Sequence, residues 1–76
     1  MVANRLPTLK ARDIVRVLFL LGFVNKRQSG SHLFFQHSDG RTTTVPKHGG
    51  KDLSRNLLRK ILEDIKIDPE DFAEYL

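Results

Sequence analysis

The sequence predicts an α+β domain in which two main helices pack on one face of a three-stranded antiparallel sheet, in the order α-β-β-β-α, followed by a short C-terminal helix. Three observations predict it. Apolar residues recur at helical spacing in the first and last thirds of the 76-residue chain. The segment between them changes to β-prone residues, and turn-forming residues cut that segment into three.

The first helix is signalled by Ile14, Val17, Leu18 and Leu21, whose i, i+3, i+4, i+7 spacing makes one apolar stripe. It is expected from about Leu9 to Leu21, with Thr8 as N-cap, Arg12 and Arg16 on its outer face, and Gly22 as the left-handed residue that stops it. Val15, Phe19 and Leu20 widen the apolar arc and are read as further core contacts. Three strands follow, at 23–28, 32–37 and 41–45, rich in aromatic and β-branched side chains. Ser29-Gly30-Ser31 separates the first two strands. Ser38-Asp39-Gly40 separates the last two, and its Asp-Gly pair is a strong hairpin signal. Pro46 ends the third strand and opens a basic, glycine-containing loop, Lys47-His48-Gly49-Gly50-Lys51. The second helix carries Leu58, Ile61, Leu62 and Ile65 inward, with Ser54 as its N-cap. Asp68-Pro69-Glu70-Asp71 starts the short third helix, expected to turn Phe72, Tyr75 and Leu76 toward the core.

A chain this short buries one small core and has no room for a deep cofactor cleft, so residues 1–76 are read as one domain, with 1–7 a flexible N-terminal segment. Cysteine is absent, so neither a disulfide framework nor a cysteine-based zinc site stabilises the fold. Met1–Pro7 has no apolar stretch followed by a small-residue cleavage site and no apolar run approaches membrane-spanning length, so a soluble cytoplasmic protein is expected.

Charge is unevenly spread. Residues 1–62 hold twelve of the thirteen Lys and Arg beside only Asp13, Asp39 and Asp52, whereas residues 63–76 hold Lys66 among Glu63, Asp64, Asp68, Glu70, Asp71 and Glu74. A basic body with an acidic tail suits a polyanionic partner, and equally suits solvated helix faces.

Three histidines, His32, His37 and His48, are the side chains fit for proton transfer near neutrality. They do not make a zinc site: His32 and His37 are five apart on one strand and point to opposite faces, and no carboxylate stands at ligand spacing. No nucleophile elbow, phosphate-binding P-loop or dinucleotide-binding glycine motif is present. His32 differs in its setting. It starts a strand directly after Gly30-Ser31, at what is expected to be the edge of the sheet, beside a turn whose backbone N–H groups suit a phosphate. RNA cleavage fits that equipment, because the 2′-hydroxyl is an internal nucleophile and the protein need only move a proton, stabilise charge and align the chain. The alternative is a strand-end histidine held by a hydrogen bond.

The order of elements is also that of double-stranded-RNA-binding domains, and the pattern of residues is more specific than the order. Gly22-Phe23, Arg27-Gln28-Ser29-Gly30-Ser31-His32, Asp39-Gly40-Arg41, Thr44-Val45-Pro46-Lys47-His48, Lys51-Asp52-Leu53 and Leu58-Arg59-Lys60-Ile61-Leu62 together resemble the HicA toxin family, over nearly the entire chain. The resemblance implies a double-stranded-RNA-binding-like fold. It also implies the toxin of a type II toxin–antitoxin system, an mRNA interferase that cleaves RNA and arrests translation as part of a stress response, neutralised by a HicB-type antitoxin. The family's catalytic histidine, that of Gly-Ser-His, corresponds to His32, and the Val-Pro-x-His histidine corresponds to His48. Two departures stand out: Asn56-Leu57-Leu58 where members often have Gly-Thr-Leu, and Leu33 where many have a second histidine. The resulting expectation is an endoribonuclease with His32 moving the proton, no cofactor and no metal, and a monomer when free. Phosphates would be held by Lys26, Arg27, Lys47 and Lys51, with Gly30, Ser31 and His48 as further RNA contacts. The rivals are a non-catalytic RNA-binding module of the same fold, and a protein-docking module that uses the acidic tail and the wide first helix.

Overall fold

The structure, a computed structural model, describes residues 8–47 and 49–76; the N-terminal segment 1–7 and His48 lie outside the described residues. The order is α1 (Ala11–Leu20), β1 (Val24–Ser29), β2 (His32–Gln36), β3 (Thr42–Pro46), α2 (Arg55–Ile65) and α3 (Pro69–Ala73). The strands form one antiparallel sheet in the order β1-β2-β3, which puts β2 in the centre. This is the α+β, double-stranded-RNA-binding-like arrangement expected from the sequence.

Strand alternation explains how the helices come to lie on one face. Leu33 and Phe35 of β2 and Thr43 and Val45 of β3 are buried, while the residues between them point the other way. Ile14, Val17 and Leu18 of α1 meet this inner face with Leu58, Ile61, Leu62 and Ile65 of α2 and Phe72 of α3. Truncating a buried ring such as Phe35 to alanine costs about 3–5 kcal/mol. That is a large part of the roughly 5–15 kcal/mol that holds a domain folded.

The helix ends depart from the sequence reading in instructive ways. Lys10, not Thr8, is the N-cap of α1; its backbone N–H donates to the Asp13 carboxylate at 2.9 Å. A lysine side chain has no acceptor to offer, so Asp13 satisfies the helix start while the Lys10 ammonium pairs with Asp52 at 2.8 Å. At the other end Gly22 takes φ +96, and the bonds from Gly22 N–H to Phe19 and from Phe23 N–H to Leu18 close the helix as a Schellman motif. Phe19 and Leu20 are 55% and 60% exposed rather than core residues, because the stripe of Ile14, Val17 and Leu18 already fills the sheet-facing side. Ser54 caps α2 as expected, accepting from Leu57 N–H. In α3 only Phe72 is buried; the helix ends at Ala73, which leaves Tyr75 and Leu76 38% and 43% exposed.

Two strand details also differ. Phe23 is buried ahead of β1, whose own residues are all exposed and are interrupted by a bulge between Asn25 and Arg27. The β2–β3 connection is a three-residue loop, with His37 and Arg41 still paired and φ positive at Gly40 but not at Asp39, rather than a two-residue Asp-Gly turn.

Candidate functional site

His32 is the first residue of the central strand, paired with Ser29 of β1 and Pro46 of β3, so it sits at the end of β2 and not at a sheet edge. Its side chain is exposed on the face away from the helices. Among the described residues none hydrogen-bonds to its imidazole. The backbone around it is nonetheless fixed: the Lys47 N–H donates to the Ser31 carbonyl at 2.6 Å, tying the Gly30-Ser31 turn to the loop after β3, and the Gln28 side-chain amide donates to the Gly30 carbonyl at 3.1 Å.

Two residues along β2, Phe34 shares the His32 face. Its in-register neighbours are Arg27 on β1 and Thr44 on β3. The Arg27 guanidinium lies over the Phe34 ring, 5.5 Å from its centroid, a cation–π contact on the outer face of the sheet. On the β3 side a groove of about 330 Å³ runs between the strand edge and α2, lined by His32, Phe34, Thr42, Thr43, Thr44, Pro46, Leu57, Lys60, Ile61 and Asp64. Thr43 Oγ1 donates to Asp64 at 2.9 Å, and Lys60 Nζ lies 3.5 Å from the same carboxylate.

The cations expected to hold RNA do not all gather here. Arg27 shares the outer face with His32. Lys26 is the extra residue at the β1 bulge and is exposed. Lys47 is exposed and lines a different, apolar groove of about 570 Å³ along α1, with Arg12, Val15, Arg16, Phe19 and Leu20. Lys51 is exposed in the loop ahead of the Lys10–Asp52 pair. Gly30 and Ser31 form the exposed turn before His32, and His48 lies outside the described residues. Phe34 and Lys60 were not among the expected site residues. Strand alternation from His32 would have found Phe34, whereas Lys60 reaches the groove only through the docking of α2 on β3, which no linear spacing encodes.

His37 occupies the far end of the same strand and is built differently. Its ring meets buried Phe23 edge-on at 5.0 Å, and its Nδ1 accepts from Asp39 N–H at 3.1 Å. Arg41 lies over the same phenylalanine at 5.1 Å, binds Asp39 through Nε at 2.9 Å, and donates to the Ile65 carbonyl at the end of α2. The Arg41 side-chain hydrogen bond, more than any other influence, holds the Asp39 carboxyl below its ordinary value. Among the described residues no group of three or more His, Asp or Glu side chains is arranged to hold a metal ion, and no helix is long and apolar enough to cross a membrane.

The described residues form a small basic α+β fold whose outer sheet face carries an exposed histidine and an arginine-covered ring, beside a groove that Lys60 lines. The family comparison makes this specific. Residues 11–67, from α1 through the end of α2, match the model of the HicA toxin of bacterial toxin–antitoxin systems. The chain belongs to the HicA toxin family, and is thus a toxin of a toxin–antitoxin module that pairs with an antitoxin. Among curated proteins no match was found.

Proposed function

We propose that this toxin is an endoribonuclease, an mRNA interferase that cleaves RNA phosphodiester bonds in the cytoplasm and so arrests translation, with His32 as its catalytic residue. The observation that carries the reading is the setting of His32: an exposed imidazole at the start of the central strand, on a fixed backbone, facing a groove that also holds Lys60.

The chemistry asks little more. The 2′-oxygen attacks the adjacent phosphorus, the bond to the 5′-oxygen breaks, and the products are a 2′,3′-cyclic phosphate and a 5′-hydroxyl. One proton leaves the 2′-oxygen and one reaches the 5′-oxygen, and His32 takes part in that transfer. Arg27 and Lys60 supply positive charge to the phosphate region. Because the substrate carries its own nucleophile, the step needs no metal. The exposed cations Lys26, Lys47 and Lys51, with the Gly30-Ser31 turn, extend the contact along the RNA backbone, which makes binding salt-sensitive. A HicB-type antitoxin neutralises the protein by covering His32 or the RNA path.

The test is cleavage of RNA in EDTA by the wild type and by His32→Ala. Wild-type cleavage is expected to persist, and the variant to lose about 100- to 10,000-fold, the range of a general acid or base. Undiminished cleavage by the variant removes the catalytic assignment. Binding by the wild type with no cleavage under any condition makes the protein an RNA-binding module instead.

A further inference from the structure

We infer that the groove beside His32 receives one unstacked nucleobase of a single-stranded RNA, with the Phe34 ring as its stacking surface and Lys60 at the adjoining phosphate. The inference rests on the ribonuclease reading only for the chemistry at His32; the binding site itself stands on geometry.

Phe34 has no role in the core. Leu33 and Phe35 point into it from the same strand, and Phe34 is directed to the outer face, half-buried. A phenyl ring there needs another reason. Arg27 covers it from the β1 side at 5.5 Å, while its neighbour on the β3 side is the small Thr44, so the ring also borders the groove that opens toward α2. Guanidinium on one side and a groove on the other is an arrangement that completes a stack when a flat, aromatic ligand enters. Its volume of about 330 Å³ is at the lower end of the roughly 300–1,000 Å³ of small-molecule pockets, a size for one nucleotide and not for a helix. A base within a duplex has both faces occupied and cannot enter. Every base has a π-face, so the subsite selects for single strands while tolerating sequence. The exposed Thr42 and Thr44 and the Lys60 ammonium, 3.5 Å from Asp64, add donors suited to ribose and phosphate to a groove whose remaining wall is Pro46, Leu57, Ile61 and the Asp64 carboxylate, which already accepts from Thr43.

The experiment measures binding of short single-stranded RNA to the His32→Ala protein, which leaves the RNA intact, while an abasic residue is walked along the oligonucleotide. At one position, loss of the base is expected to weaken binding by roughly tenfold to a hundredfold, the scale of one base–aromatic stack. Phe34→Leu in the same background should weaken the intact RNA by a similar factor and become indifferent to the abasic residue at that position. Phe34→Trp should retain binding. Lys60→Ala should reduce the salt dependence by about one phosphate contact. In the catalytically competent protein, Phe34→Leu should raise KM with kcat held. Phe34→Leu binding that equals the parent, or losses from Phe34→Leu and the abasic residue that simply multiply, overturns the subsite. Base-dependent binding without cleavage by the wild type would keep the subsite and reject the ribonuclease reading. His32-dependent cleavage indifferent to Phe34→Leu would do the reverse.

Discussion

His32 begins β2 and His37 follows its last residue, so one five-residue strand separates two imidazoles in opposite circumstances. At the His37 end the side chains are tied into the fold: the ring packs on Phe23, its Nδ1 accepts a backbone N–H, and Arg41 joins Asp39 to the C-terminus of α2. At the His32 end the backbone is held while the side chain is left exposed. The far end spends its chemistry on closing the fold, and the near end keeps its chemistry available. A histidine in a small domain is thus informative less by its presence than by what surrounds it.

This contrast can be broken most forcefully by exchanging the losses. His32→Ala should abolish most cleavage while shifting stability by no more than about 0.5 kcal/mol, as for exposed residues generally. Arg41→Ala should do the opposite. It strands the Ile65 carbonyl and uncovers Phe23, and should cost about 2 kcal/mol, a fall of about 10 °C in Tm for a domain of this size, with kcat retained at temperatures where the variant is folded. Thermal unfolding beside a cleavage assay measures both. An Arg41→Ala protein as stable as the parent would mean that the His37 end is not the structural one.

A smaller effect is expected at the helix stop that faces His37. Gly22 holds φ +96, and a methyl group added there would lie 3.2 Å from His37 Nε2. Gly22→Ala should therefore destabilise by about 1 kcal/mol or somewhat more, visible in the urea midpoint. The smallest effect sharpens the comparison through pH. Asp39 is ionised below its ordinary value of 3.8 because Arg41 binds it. A carboxyl depressed in the folded state adds stability above the unfolded value and loses it as pH falls through the folded one. The advantage of the wild type over Asp39→Asn should be present at pH 7 and fade below pH 3.8. A difference that persists in acid would separate Asp39 from the Arg41 pairing.

The fold was largely legible because its signals are local. Ile14, Val17 and Leu18, or Leu58, Ile61 and Ile65, announce their helices by spacing alone, and Gly22 announces where the first one stops. What spacing leaves out is which of several apolar residues the neighbours have room for. Phe19 and Leu20 looked like core, but the sheet-facing side of α1 was already filled, and Tyr75 and Leu76 lay beyond the end of a one-turn helix. The site shows the same division. His32 was marked by the adjoining Gly30-Ser31 turn, and the opposite facing of His32 and His37 followed from strand alternation. The proximity of Lys60 to that face depends on how α2 lies against β3, and the separation of the Lys47 side chain into the α1 groove depends on which way one residue after Pro46 turns.

The outer face of the sheet has a consequence for how such a toxin diversifies. His32, Phe34, Thr42 and Thr44 stand on it without belonging to the buried cluster that holds the molecule together. If that face is the RNA-binding surface proposed above, substitutions there change what the protein grips while leaving its capacity to fold nearly untouched. On that proposal a lineage built on this scaffold would alter its target preference in single steps, each intermediate still a folded protein, with the antitoxin as the partner that must keep pace.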